Sequence, residues 1–321
     1  MRIGDRSLQA ALLFGVLVAS WGMNYVFVVW GLAEAPALWL AAMRSGVGAL
    51  GGLAFVFATR RIRFLDGRGR RDALLLGLPN TALFFGLWFI AGASVPPGQA
   101  AVFVYTFPLW VALLSAAFFR YSLTGLQVVA ILVGFAGVLL VSQPWNHSQG
   151  FALLPVTLLL VAAFAWAVGT VLFKHRFHGE AVHAANAFQL LGGTAGLLLA
   201  SWVTEPGGFV PSLRLLGIVL WLGLAGTALS YMIWFWLLDR LHATTLSAYV
   251  FLVPLVALVA SLLLLGEGLG PGQVAGVGFV LSSIYLMARA SQAGQGPGGT
   301  PATEGTTPPR GVPAAAPFKG G

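Results

Sequence analysis

The second half of this chain repeats its first half at a nearly constant offset of 146 residues, and both halves are strings of long apolar segments. Gly77, Thr81-Ala82-Leu83, Trp88-Phe89, Pro108-Leu109, Ser115 and Gln127 align without a gap on Gly223, Thr227-Ala228-Leu229, Trp234-Phe235, Pro254-Leu255, Ser261 and Gln273. Trp21 and Trp166 also match, with the offset shortened by one. A hydrocarbon core about 30 Å thick requires about 20 apolar residues of helix. Ten segments meet that length: 8–31, 36–59, 73–93, 99–119, 123–142, 151–173, 182–203, 213–237, 243–265 and 271–288. The expected fold is an all-α integral membrane protein of ten transmembrane helices, built as two five-helix repeats over 8–142 and 151–288. Five is odd, so the second repeat enters the membrane upside down relative to the first. Inverted repeats of this kind are the plan of secondary transporters, whose two halves rock about a site between them.

Charge supports the same reading. Only 8% of residues are charged and 58% are hydrophobic, against about 25% charged in a soluble domain. A net charge of +8 would suggest nucleic acid in a soluble protein. Here all 17 Lys and Arg except Arg44 and Arg214 fall in loops and termini on one side of the ten-segment topology. The positive-inside rule then places both termini in the cytoplasm and argues against a nucleic-acid partner. Residues 1–7 form a short cytoplasmic N-terminus. The first apolar run is too long for a signal sequence and lacks a small-x-small cleavage site, so it is expected to remain as a helix. The stretch 289–321, rich in Gly, Pro, Ala and Thr, is expected to be a disordered cytoplasmic tail. The chain has no cysteine, and hence neither disulfides nor thiolate metal sites.

Chemistry inside the spans is sparse. Arg44 is the only ionisable side chain placed well within one, where charge costs about 2.5 to 3.5 kcal/mol on insertion scales. It is either a counter-ion for an anionic substrate group or a structural arginine on backbone carbonyls. No Asp or Glu falls within a span, which disfavours a mechanism that alternates a proton and a cationic drug on a buried carboxylate. Trp21, Asn24 and Tyr25 share a face of the first segment, and Trp166 with Thr170 repeats it in the sixth. Trp88, Tyr105, Gln189, Tyr231, Trp234 and Tyr249 are further polar or amphipathic groups within spans, suited either to interhelix packing or to a cavity with aromatic walls. Pro108 and Pro254 occupy equivalent places, and each removes a backbone hydrogen bond; gating kinks or plain structural bends both fit. Spacings such as Gly48 with Gly52, Gly192 with Gly196 and Gly272 with Gly276 permit close helix approach, and monomer and homodimer stay open. No Walker, HExxH or GxSxG pattern occurs, and no His and carboxylate cluster, so no metal or cofactor is expected.

The segments Ala19-Ser20-Trp21-Gly22-Met23-Asn24-Tyr25-Val26, Leu40-Ala41-Ala42-Met43-Arg44, Gly226-Thr227-Ala228-Leu229-Ser230-Tyr231 and Pro254-Leu255 through Gly266-Glu267 closely resemble the EamA-type family of the drug/metabolite transporter superfamily. The resemblance covers both repeats. It implies a ten-helix inner-membrane carrier, an exporter of amino acids and related metabolites, with a cavity lined from helices 1, 3, 4, 6, 8 and 9. The first repeat departs from the family pattern at Tyr121, where the second keeps Glu267. The expected function is alternating-access transport of a small metabolite, with no catalytic residue. The rivals are a drug or lipid-type exporter on the same scaffold and a polytopic membrane enzyme, for which the sequence offers no clustered acid and base.

Overall fold

The computed structural model describes residues 3–119, 124–142, 153–238, 252–266 and 268–293, and the regular structure among these is helical. Helix α1 runs Ile3–Leu32, α2 Ala37–Ala58 and α3 Gly67–Gly92. α4 is in two pieces, Pro97–Val104 and Phe107–Phe119, and α5 is Gly125–Ser142. α6 covers Leu153–Arg176 and α7 Ala181–Thr204. α8 joins Leu213–Leu220, Trp221–Leu229 and Ser230–Leu238; α9 is Leu252–Leu265 and α10 Pro271–Ala293. α1 to α4 and α6 to α8 each contain a stretch long and apolar enough to cross a membrane, and α5, α9 and α10 contain shorter apolar ones.

Several boundaries differ from the sequence expectation for local reasons. α3 starts at Gly67 rather than near 73, because the Asp66 side chain caps it by accepting from the Gly69 N–H at 2.7 Å. α1 begins within the expected N-terminus, and α10 continues beyond 288 to Ala293. α4 breaks at Tyr105 and Thr106, just before Pro108, whose missing N–H leaves the Val104 carbonyl without its helical donor. The Thr106 N–H and Oγ1 both turn back to the Phe103 carbonyl, at 3.1 and 2.7 Å. Of the corresponding pair before Pro254, Phe251 lies outside the described residues and Leu252 is already helical, the first residue of described α9.

Two helices widen into π-helical turns at repeat-related places, Leu78–Leu83 in α3 and Trp221–Leu229 in α8. In α3, Pro79 removes a donor from the helix interior. In α8, hydroxyls replace backbone donors: Thr227 Oγ1 donates to the Leu222 carbonyl at 2.7 Å, and Ser230 Oγ to the Ala225 carbonyl at 2.6 Å. A carbonyl satisfied from five residues onward no longer requires the regular i−4 bond, so the turn can open.

The helix contacts come in matched sets. α3 packs on α7 as α2 packs on α8; α4 packs on α6 as α1 packs on α9; α3 packs on α6 as α1 packs on α8. α2 with α7, α4 with α9 and α5 with α10 complete the bundle. Glycines set the closest approaches. Gly48 faces Thr227, Gly193 faces Thr81, Gly223 faces Val47, and Gly77 faces the backbone of Gly192 and Gly193. Gly52 and Gly196 also face neighbours in the same chain, Ala187 and Ala82. The small-residue spacings at Gly48 and Gly192 are therefore used inside the bundle.

The ends of α2 and α7 are tied reciprocally. α2 has Pro36 at its N-cap and no capping side chain of its own. The Glu205 carboxylate, just past α7, fills that role by accepting from the Leu38 N–H at 3.1 Å and the Trp39 N–H at 3.0 Å. At the other ends, Arg61 after α2 pairs with Glu180 before α7 at 2.7 Å. Glu205→Ala is expected to cost about 1 kcal/mol, the typical worth of a cap, seen as a lower unfolding midpoint in detergent; an unchanged midpoint would show the cap to be idle.

Candidate functional site

The site is organised by one buried cation. Arg44, about a third of the way along α2, is 3% exposed. Its Nε donates to Thr227 Oγ1 at 3.2 Å, and that hydroxyl in turn donates into the π turn of α8. Its guanidinium carbon lies 4.3 Å from the centroid of the Phe85 ring and 5.0 Å from that of Trp88, a cation–π arrangement. Nη1 has no hydrogen-bond partner. Among the described residues, the carboxylates in ion pairs are Glu34, Asp72 and Glu180, all at helix ends. The charge of Arg44 is therefore held by a neutral hydroxyl and aromatic faces, with donor capacity left over.

Arg44 lines a cavity between the helices. α1 contributes Trp21, Asn24 and Tyr25, α3 contributes Phe84, Phe85 and Trp88, and α4 contributes Val104 and Tyr105 at its break. Trp166 of α6, with Gly226 and Tyr231 of α8, completes the lining. The rings brace one another: Tyr25 lies 4.7 Å from Trp88, Phe84 4.9 Å from Trp166, and Trp21 6.0 Å from Tyr231. Asn24 Nδ2 donates to the Gly226 carbonyl at 3.3 Å, while Asn24 Oδ1 has no partner. The cavity thus combines aromatic rings, three of them phenols, one cation with an unused N–H, and one amide oxygen with unused acceptor capacity.

The other residues singled out from the sequence lie elsewhere. Trp234 packs on Trp21 at 5.7 Å without lining the cavity. Gln189 is engaged in an amide chain, accepting from Asn80 Nδ2 at 2.9 Å and donating to Asn186 Oδ1 at 2.7 Å. Thr170 is half-buried on α6, off the lining. Pro108 follows the α4 break, one turn from Tyr105, and Pro254 is buried near the start of described α9. Tyr249, like Tyr121 and Glu267, lies outside the described residues.

Sequence reasoning passes over Phe84, Phe85, Val104 and Gly226 as site residues, and marks Thr227 only as one more polar group within a span, suited to interhelix packing or to a cavity. For Phe85 a signal existed: it stands 146 residues before Tyr231, so the repeat relates two residues of the same wall. For Val104 there was none, since an aliphatic residue in a span is no different from its lipid-facing neighbours.

Thr227 positions the guanidinium through its hydroxyl. Thr227→Val, which keeps the shape and removes both bonds, is expected to weaken apparent substrate affinity about tenfold, the equivalent of roughly 1.4 kcal/mol, with little change in exchange rate at saturation. Thr227→Ser should restore it. Equal loss in both variants would point to packing instead.

Comparison with known proteins agrees with this architecture. The sequence pattern of the EamA-like transporter family matches residues 8–143 and again 153–289. The chain is 30% identical to an uncharacterized transporter of Bacillus subtilis strain 168, YvbV, covering 89% of this chain and 93% of that one. It is 28% identical to a probable amino-acid metabolite efflux pump of Salmonella typhimurium strain LT2, covering 84% and 92% respectively. A solved crystal structure superposes with a TM-score of 0.64 at 18% identity over 89% of this chain and 98% of that one, which shows a shared fold. A polytopic helical bundle whose two halves each match the same transporter pattern is a membrane transporter, and the chain belongs to the EamA-like transporter family.

Proposed function

We propose that this protein is a secondary transporter that moves small carboxylate-bearing metabolites, amino acids or their derivatives foremost, out across the inner membrane by alternating access. The observation that carries the reading is Arg44: a buried cation with an unpartnered Nη1, lining an aromatic cavity and unpaired with any carboxylate among the described residues. A substrate carboxylate supplies the missing charge and accepts the free N–H. The rings tolerate an apolar side chain, and Asn24 Oδ1 offers an acceptor to a donor group on the same molecule. The efflux-pump name of the Salmonella relative is in keeping with this substrate class.

Ten spans in two inverted repeats, with both termini cytoplasmic, form the frame of the proposal. The matched helix contacts are what a pseudo-two-fold axis relating α1–α5 to α6–α10 would produce. Side chains follow the same relation. The Asn24 amide packs on Gly226, leaving no room for a Cβ there, and the Asn80 amide packs likewise on Gly169. The repeat pairs Asn24 with Gly169 and Asn80 with Gly226, so the large and small partners are exchanged between equivalent interfaces and each keeps its volume. Arg44 has Gln189 as its counterpart, which makes the charged site one-sided within a symmetric frame. The α4 break at Pro108, beside a cavity-lining tyrosine, suits a gate, with Pro254 as its partner in α9.

Counterflow in proteoliposomes tests the reading. Vesicles loaded with an unlabelled amino acid, N-acyl amino acid or uncharged amphipathic drug are diluted into the labelled compound without an ion gradient. Accelerated entry for carboxylates, and none for the uncharged drugs, is expected. Exchange of uncharged compounds alone would favour a drug exporter, and no exchange under any imposed proton or sodium gradient would overturn the transport assignment of this cavity.

A further inference from the structure

We propose that the loop between α2 and α3, with the first turn of α3, is an ordered site for the headgroup of an anionic phospholipid, formed by Arg60, Arg63 and Arg68. This stretch carries arginine at positions 60, 61, 63, 68, 70 and 71 and no lysine. Three of these are spent within the protein. Arg61 pairs with Glu180 at 2.7 Å, Arg70 Nε donates to the Leu65 carbonyl at 3.1 Å, and Arg71 pairs with Asp72 at 3.2 Å. Arg60, Arg63 and Arg68 are exposed and make no ion pair among the described residues. The neighbouring acids are already engaged: Asp66 caps α3, Asp72 also takes Arg176 at 2.8 Å, and Glu180 takes Arg61.

The frame that holds these cations is fixed. Arg60 adopts a left-handed conformation with φ 55°, which a non-glycine residue takes only when its surroundings impose it. A 3-10 turn over Arg61–Phe64 follows, then Leu65, which is buried. Gly69 closes the loop where a Cβ would meet Leu65 Cδ1 at 2.7 Å and Asp66 Oδ1 at 2.8 Å. An apolar group accompanies the charges: Phe64 is 43% exposed, and the Arg63 guanidinium lies over its ring at 4.9 Å. An arginine fork over an exposed ring, with the unpaired Arg60 and Arg68 close by in the chain at the facing ends of α2 and α3, suits a phosphodiester headgroup with the start of its acyl chains. Topology alone requires positive charge, with no set geometry and no exposed ring.

The test uses the full chain purified in an uncharged detergent, with short-chain phosphatidylglycerol, phosphatidylcholine or inorganic phosphate added. Bound lipid is read by native mass spectrometry and the unfolding midpoint by heating. Phosphatidylglycerol is expected to bind with defined stoichiometry and raise the midpoint by a few degrees, the other two to do neither. R60Q/R63Q/R68Q should abolish both effects. Because that variant also weakens the inward-positive charge used for insertion, R63Q is measured beside it and should lose about half the shift. An equal effect from phosphatidylcholine or from phosphate alone, or an undiminished phosphatidylglycerol shift in R63Q and in any triple variant that folds, would overturn the proposal.

Discussion

Arg44→Ala is expected to reduce counterflow of carboxylate substrates by about ten- to a hundredfold, the range set by losing one charge-assisted hydrogen bond of about 1.5–3 kcal/mol. The loss follows from burial: a substrate carboxylate entering this cavity would meet neutral groups alone, aromatic rings with their phenol and indole donors and one amide, in place of a cation. Folding should not suffer in proportion. Arg44 has no carboxylate partner among the described residues, so truncation removes a desolvated charge and leaves no opposite charge stranded. The expected pattern is therefore lost exchange with an unfolding midpoint unchanged or raised. Arg44→Lys should retain part of the exchange, since an ammonium keeps the charge but lacks the planar fork whose Nε bonds Thr227 while leaving Nη1 for a carboxylate. Full exchange in Arg44→Ala would reduce this arginine to a structural role.

Gly77→Ala is expected to have the largest effect on the fold itself. A Cβ at this position would meet the α7 backbone at Gly192 and Gly193, with no flexible side chain to move aside. α3 and α7 would have to separate along their length, and overpacking of about 1–3 kcal/mol is a lower bound when backbone must shift. Gly217→Ala, on α8 with nothing within 4 Å of its Cβ, serves as the control and should be neutral or slightly stabilising. Folded yield after detergent extraction and the unfolding midpoint measure both. A Gly77→Ala protein as stable as the Gly217→Ala one would mean that the α3–α7 contact is looser than these distances imply.

Some of the site was legible in advance because its residues are chemically out of place in lipid. Arg44, Asn24 and the Trp and Tyr residues of α1, α3, α4, α6 and α8 attract notice on that ground alone, and Trp21, Asn24, Tyr25, Arg44, Trp88, Tyr105, Trp166 and Tyr231 line one cavity. The same ground also picks out Gln189 and Thr170, which have no place on its wall. Gln189 finds its partners in Asn80 and Asn186. Polarity marks a residue that must face protein or water, but not which of the two.

The amino-acid sequence by itself determined the solvent of this protein and its helical character: apolar segments, with charge other than Arg44 kept to their ends and the loops between them, can satisfy their backbone in lipid only as helices or closed barrels, and segments of about 20 residues suit helices. These properties are local sums along the chain, so they can be read without knowing what packs on what. The tertiary structure alone decided that Phe84, Phe85 and Val104 belong to the cavity, that Thr227 rather than a carboxylate holds Arg44, and that hydroxyls open the π turn of α8. The reason is physical. A membrane helix is apolar on the face toward lipid and on the face toward its neighbours, so no periodicity in the sequence records which way it is turned. Its rotation is set by where glycines let backbones approach, a property of pairs of helices that neither strand of sequence contains alone.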